Sequence, residues 1–77
     1  MPALPALNAA KVVKALERLG WSVARQRGSH IILVKSGHIA TLSIPNHNEV
    51  AKGTLRSLIR AADVTVEQFL AACKRRV

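Results

Sequence analysis

Cysteine, aromatic residues and acids are all scarce in this chain of 77 residues, and each scarcity removes a class of protein. The single Cys73 excludes an intramolecular disulfide. With no Cys-x-x-Cys or comparable ligand pair, a reducing cytoplasm is the expected compartment. Trp21 and Phe69 are the only aromatics, so the core has to be mostly aliphatic. No apolar run approaches the ~20 residues that cross a bilayer. The opening Met1-Pro2-Ala3-Leu4-Pro5 is not a charged leader followed by an apolar stretch. A soluble, unexported protein with no membrane partner is expected.

The scarcity of acids leaves a strongly basic chain. Twelve Lys and Arg against four Asp and Glu give a formal net charge of +8. The positives recur along the whole chain instead of collecting in a tail, which predicts a charged surface whose natural partner is a polyanion. Charge alone does not separate RNA, DNA, an anionic membrane and an acidic protein. With 49% hydrophobic residues the chain has ample material for a packed globule. Residues 1–77 are read as one domain, with residues 1–7 as an irregular lead-in because of Pro2 and Pro5.

Periodicity then sets the order of elements. Asn8 is placed to cap a helix whose apolar positions Val12, Val13, Leu16 and Leu19 follow helical spacing, with Leu7 and Val12 as a hydrophobic staple and Gly20 as the stop. Lys11, Lys14 and Arg18 form its basic outer stripe. From Trp21 the period becomes two: Trp21 and Val23 alternate with Ser22 and Ala24, and Arg25-Gln26-Arg27 leads to a glycine corner at Gly28. Ile31 to Lys35 and Ile39 to Ile44 read as two further strands joined by a two-residue turn at Ser36-Gly37, ended by Pro45.

Beyond the polar loop Asn46-His47-Asn48-Glu49, a helix opening at Gly53-Thr54 buries Leu55, Leu58 and Ile59 and sets Lys52, Arg56 and Arg60 on one outer face. Thr65 and Gln68 have capping-box spacing for a last helix, with Val64 and Phe69 as its staple. The order is α-β-β-β-α-α, an α+β fold with a three-stranded antiparallel sheet whose helices cover one face.

Alternation puts His30, Ile32 and Val34 on one face of the middle strand and Ile31, Leu33 and Lys35 on the other. His30 is placed on the open face, with Ile32 and Val34 exposed beside it as a surface for a second protein. A plainer reading covers both faces and leaves His30 as an edge residue.

Gly28-Ser29-His30 is the candidate site. Glycine at the corner lets a ligand approach the backbone, Ser29 can bond a phosphate or merely satisfy the turn, and an imidazole titrates near physiological pH. As a general base His30 would take the proton of an RNA 2′-hydroxyl, with Arg25, Arg27 and Lys35 as the nearest cations to stabilise the phosphorane. His47 is a second candidate, for proton transfer, for a phosphate contact or simply as a loop cap. His38, beside a turn, reads as a surface residue.

No metal and no cofactor are expected, since His30, His38 and His47 share no helix face and few acids lie near them. Ser-His-Asp hydrolysis lacks a nucleophile elbow, Asp63 lying in the turn before the last helix.

Two separated motifs resemble the HicA (YcfA-like) toxins of prokaryotic toxin-antitoxin systems. The first is Gly20-Trp21 leading through Arg25-Gln26-Arg27 into Gly28-Ser29-His30. The second is Ile44-Pro45-Asn46-His47, followed by Gly53-Thr54-Leu55-Arg56-Ser57-Leu58-Ile59 and Val66-Glu67-Gln68-Phe69. The resemblance covers roughly residues 8–72.

The resemblance implies a fold like the double-stranded-RNA-binding domain. It also implies a metal-independent mRNA endoribonuclease, held in a hetero-oligomer by a HicB-like antitoxin that covers its active site. The family's catalytic histidine falls on His30, and the histidine of its Pro-x-His motif on His47. Gly28 and Ser29 carry over as the supporting corner. One departure is Val34-Lys35-Ser36-Gly37, where many relatives carry His-Pro. The alternative from the residues is a basic RNA-binding module without catalysis, since duplex-RNA binders share this order of elements. A third reading makes the chain chiefly an interaction partner through its Ile32 and Val34 face.

Overall fold

Asn8 starts the first helix as its side chain allows: Oδ1 accepts the Lys11 backbone N–H at 2.9 Å, satisfying a donor that has no partner within the helix. In the computed structural model, which describes residue 4 and residues 6–74, this helix is α1 (Ala9–Arg18). Gly20 ends the turn beyond it at a φ of +103°, and the Gly20 and Trp21 N–H groups donate back to the Glu17 and Leu16 carbonyls. Leu7 and Val12 are both buried, as the staple requires.

The chain then runs through β1 (Ser22–Arg27), β2 (His30–Lys35) and β3 (His38–Pro45), an antiparallel sheet in the order β1-β2-β3. Ile31 pairs with Ile44 and Leu33 with Leu42, and Leu33, Leu42 and Ile44 are fully buried, so these pairs mark the core face. Two-residue turns join the strands, each with one glycine at positive φ: Gly28 at +57° and Gly37 at +78°.

Next come α2 (Lys52–Ala61) and α3 (Val66–Lys74). Leu55, Leu58 and Ile59 are the buried stripe of α2. Asp63 then turns the chain at a φ of +61°, a conformation aspartate tolerates better than most residues. The capping box forms in full: Thr65 N–H donates to Gln68 Oε1 at 2.8 Å and Gln68 N–H to Thr65 Oγ1 at 3.0 Å. α1 and α2 pack on the sheet, and α3 packs on both helices. All three contribute to one core with Trp21, Phe69, Leu16, Leu33 and Leu42, so helices cover one face and the other stays open.

The residues ahead of α1 also reach the core. Leu4 and Leu7 are buried, and Leu7 bridges to Val50, whose N–H donates to the Leu7 carbonyl at 2.8 Å. Residues 1–3, residue 5 and the basic end at residues 75–77 lie outside the described residues. Among the described residues no helix is long and apolar enough to cross a membrane.

Three expectations need correction. Alternation alone would leave Ile32 exposed beside His30, but it is buried, with Arg25 and Ser43 at its cross-strand positions on the middle strand. An arginine stem and a flanking strand on either side screen a central apolar residue even on an open face. Val34, nearer the end of the strand, does stay exposed. His38 is not a plain surface residue: it is half-buried, its ring centroid 5.1 Å from that of Trp21. Trp21 itself leads into β1 from outside, the strand beginning at Ser22.

Candidate active site

His30 is the first residue of β2, directly after the Gly28-Ser29 turn. Its neighbour Ile31 pairs with Ile44 on the core face, so alternation turns the imidazole to the open face, where it is exposed. Across the sheet it stands between Arg27 on β1 and Pro45 on β3. Residues directly opposite in an antiparallel pair have Cβ atoms about 4.5–5.5 Å apart, which sets the Arg27 stem beside the ring.

Arg25 reaches the same face by an irregularity that simple alternation misses. Val23 pairs with Leu33, and two residues later Arg25 pairs with Ile32, so the ladder gains an extra residue at Ala24. Without that bulge Arg25 and Arg27 would follow Val23 onto the face of Leu33. With it they turn to the face of His30, the kind of re-aiming that bulges impose. Three consecutive long polar residues, Arg25-Gln26-Arg27, were the available signal: a strand with one buried face seldom continues its alternation through two arginines.

The second motif meets the first at the backbone. Asn46 N–H donates to the Ser29 carbonyl at 2.7 Å, and Pro45 is the cross-strand partner of His30. His47 follows with its own N–H on the Pro45 carbonyl at 2.9 Å and its carbonyl accepting from Ala9 N–H at 3.1 Å. The His47 side chain is exposed. A short polar loop is thereby pinned to the glycine corner on one side and to the start of α1 on the other.

Gly28 has open space where a Cβ would stand, so only its backbone conformation calls for glycine. Lys35 is not brought to this end. It closes β2 five residues on, about 16 Å away at a rise of about 3.3 Å per residue. Its aliphatic stem passes Gly20, where an added Cβ would come within 3.2 Å of Lys35 Cε. Among the described residues, no group of three or more His, Cys, Asp or Glu side chains is gathered.

The arrangement is an exposed imidazole with arginine opposite, on the open face of a small basic α+β sheet, at a glycine corner locked by a Pro-x-His loop. A domain of this class has a cationic rim that carries one exposed imidazole. The chain belongs to the HicA toxin family: the family model described as the HicA toxin of bacterial toxin-antitoxin matches residues 9–64. The match takes in α1, the whole sheet, the His47 loop and α2. No curated protein and no solved structure is found to match the chain. As a family member it is the toxin of a toxin-antitoxin pair.

Proposed function

We propose that this toxin is a metal-independent endoribonuclease of mRNA, acting in the cytoplasm, with His30 as its acid/base group. The observation that supports this best is the cross-strand trio Arg27, His30 and Pro45 on the open face, with the Asn46 N–H holding the Ser29 carbonyl beneath it. Neutral His30 accepts the proton of a 2′-hydroxyl. The 2′-oxygen bonds to the adjacent phosphorus while the bond from phosphorus to the 5′-oxygen breaks. A second acid or water gives the 5′-oxygen its proton, leaving a 2′,3′-cyclic phosphate and a 5′-hydroxyl.

Arg27 and Arg25 stabilise the charge that builds on the phosphorane oxygens. Ser29 and the open backbone at Gly28 admit the phosphate. His47 is assigned the second proton or a phosphate contact, and Lys35, at the other end of β2, a flanking phosphate. A positioned acid or base contributes roughly 10²- to 10⁴-fold, so an enzyme relying on one imidazole and arginines is slow.

A HicB-like antitoxin, bound in a hetero-oligomer over the open face, would silence cleavage by covering His30. The test is His30→Ala, assayed for RNA cleavage in the presence of chelator and for thermal unfolding. Loss of cleavage with an unchanged melting temperature supports the reading. A folded variant that cleaves as fast as the parent overturns it. RNA binding by the parent without cleavage would instead favour a binding module.

A further inference from the structure

A cleft of about 340 Å³ lies between α1 and α3, lined by Leu7, Lys11, Lys14, Arg18 and Cys73. Three of its five lining residues are cations and none is an acid. The larger cleft beside α2, of about 390 Å³, sets Glu67 among its arginines and offers no such uniform field.

One cation has a structural task. Arg18 Nη1 donates to the Ala72 carbonyl at 2.7 Å, fixing α1 against the last turn of α3 and so fixing the width of the cleft. Lys11 and Lys14 are exposed, one helical turn apart, and free to bind. Arg18 and Lys11 are near enough to act on the Cys73 thiol, although burial, the larger effect, pushes its pKa up.

The lining of the cleft is tied through the backbone to the His30 corner. Leu7 and Lys11 flank Ala9, whose N–H donates to the His47 carbonyl. His47 follows Asn46, whose N–H is on Ser29. Lys11 to Arg18 spans about 10.5 Å along the helix axis at 1.5 Å per residue. That matches the axial rise of about three nucleotides of a stacked strand, at ~3.4 Å each.

We infer that the α1/α3 cleft is a second RNA site, in which Lys11 and Lys14 take phosphates of the strand that passes from His30 over the His47 loop. The inference rests on the reading of this chain as an RNA-acting protein, but not on the chemistry at His30. Among the described residues the site contains no aromatic side chain on which a base could stack, so it grips backbone phosphates without preference for sequence.

The test uses the full chain and a short single-stranded 2′-O-methyl RNA, which has no free 2′-hydroxyl and is not cut. Cys73 is the reporter, alkylated by a maleimide at mildly alkaline pH. The RNA is expected to protect Cys73. Lys11→Ala/Lys14→Ala, folded by circular dichroism, is expected to lose that protection and to lower the slope of log affinity against log salt by about 1.4, at about 0.7 per phosphate on a single strand. The control Lys52→Ala/Arg56→Ala removes the same charge from the α2 face and is expected to change both readouts less.

An unprotected thiol in the parent, an equal loss in the control, or a double variant that binds as the parent does would each overturn the site. Protection by a polyglutamate peptide at a lower concentration than RNA would overturn RNA as the occupant and assign the cleft to an acidic protein segment. None of these outcomes bears on His30, which the cleavage assay of His30→Ala judges separately.

Discussion

Two histidines of this chain follow two-residue turns of glycine and serine, and each begins a strand: His30 after Gly28-Ser29, and His38 after Ser36-Gly37. Their surroundings divide them. His38 is half-buried on Trp21, and its Nδ1 accepts the Ala40 backbone N–H at 3.2 Å, so one ring nitrogen already has a task within the fold. His30 is exposed, with an arginine across the strand and none of the described hydrogen bonds engaging its ring. A similar local sequence thus supplies a structural imidazole at one end of the sheet and an available one at the other. What differs is the element packed behind each turn: Trp21 behind His38, and the Pro45-Asn46-His47 loop beside His30.

The comparison is broken most directly by removing each ring. His30→Ala is expected to lower RNA cleavage by about 10²- to 10⁴-fold, the usual contribution of a positioned acid or base. Its unfolding midpoint should stay where it was, because the ring is exposed. Parallel cleavage and thermal denaturation assays check both halves. The Gly28 turn is next in size. Alanine there must hold a φ of +57°, where an L side chain costs about 1–2 kcal/mol, and since a Cβ meets nothing nearby the cost is backbone alone. Denaturant unfolding should read that loss.

His38→Ala is the mirror experiment. It removes a ring packed on Trp21, worth about 0.5–1.5 kcal/mol for an aromatic pair, together with the acceptor for Ala40. Stability should fall by about that amount, while the cleavage rate of the folded fraction holds. Equal damage to cleavage by His38→Ala and His30→Ala would collapse the distinction between the two ends.

The fold was legible in the sequence wherever local chemistry decides the structure. Asn8, Gly20, Thr65 and Gln68 announce their caps because a side chain or a missing Cβ acts within four residues. The turns at Gly28 and Ser36-Gly37 were legible for the same reason. The bulge at Ala24 was not, since plain alternation from Trp21 predicts the wrong face for both arginines, and only the pairing of Arg25 with Ile32 reveals the extra residue. The pairing of His38 with Trp21 and the bond from Asn46 to Ser29 are tertiary in the same way. Each joins residues 17 positions apart along a chain that reverses between them. His30 and its nearest arginines were named from the sequence, but the bulge that turns Arg25 and Arg27 to its face is seen only in the fold.

Ser29 gives a small expected effect on stability and the sharpest division of roles. It is the Ser29 carbonyl, not the hydroxyl, that accepts the Asn46 N–H and ties the Pro-x-His loop to the corner. Ser29→Ala keeps that carbonyl, and on an exposed turn its unfolding free energy should stay within about 0.5 kcal/mol of the parent. If the hydroxyl donates to a phosphate, cleavage should still fall, by up to about tenfold for one hydrogen bond worth roughly 0.5–1.5 kcal/mol. A slower enzyme with an unmoved melting curve would assign the side chain to RNA and the backbone to the fold. An unchanged rate would leave Ser29 to the turn alone, with Gly28 admitting the phosphate and His30 and the arginines acting on it.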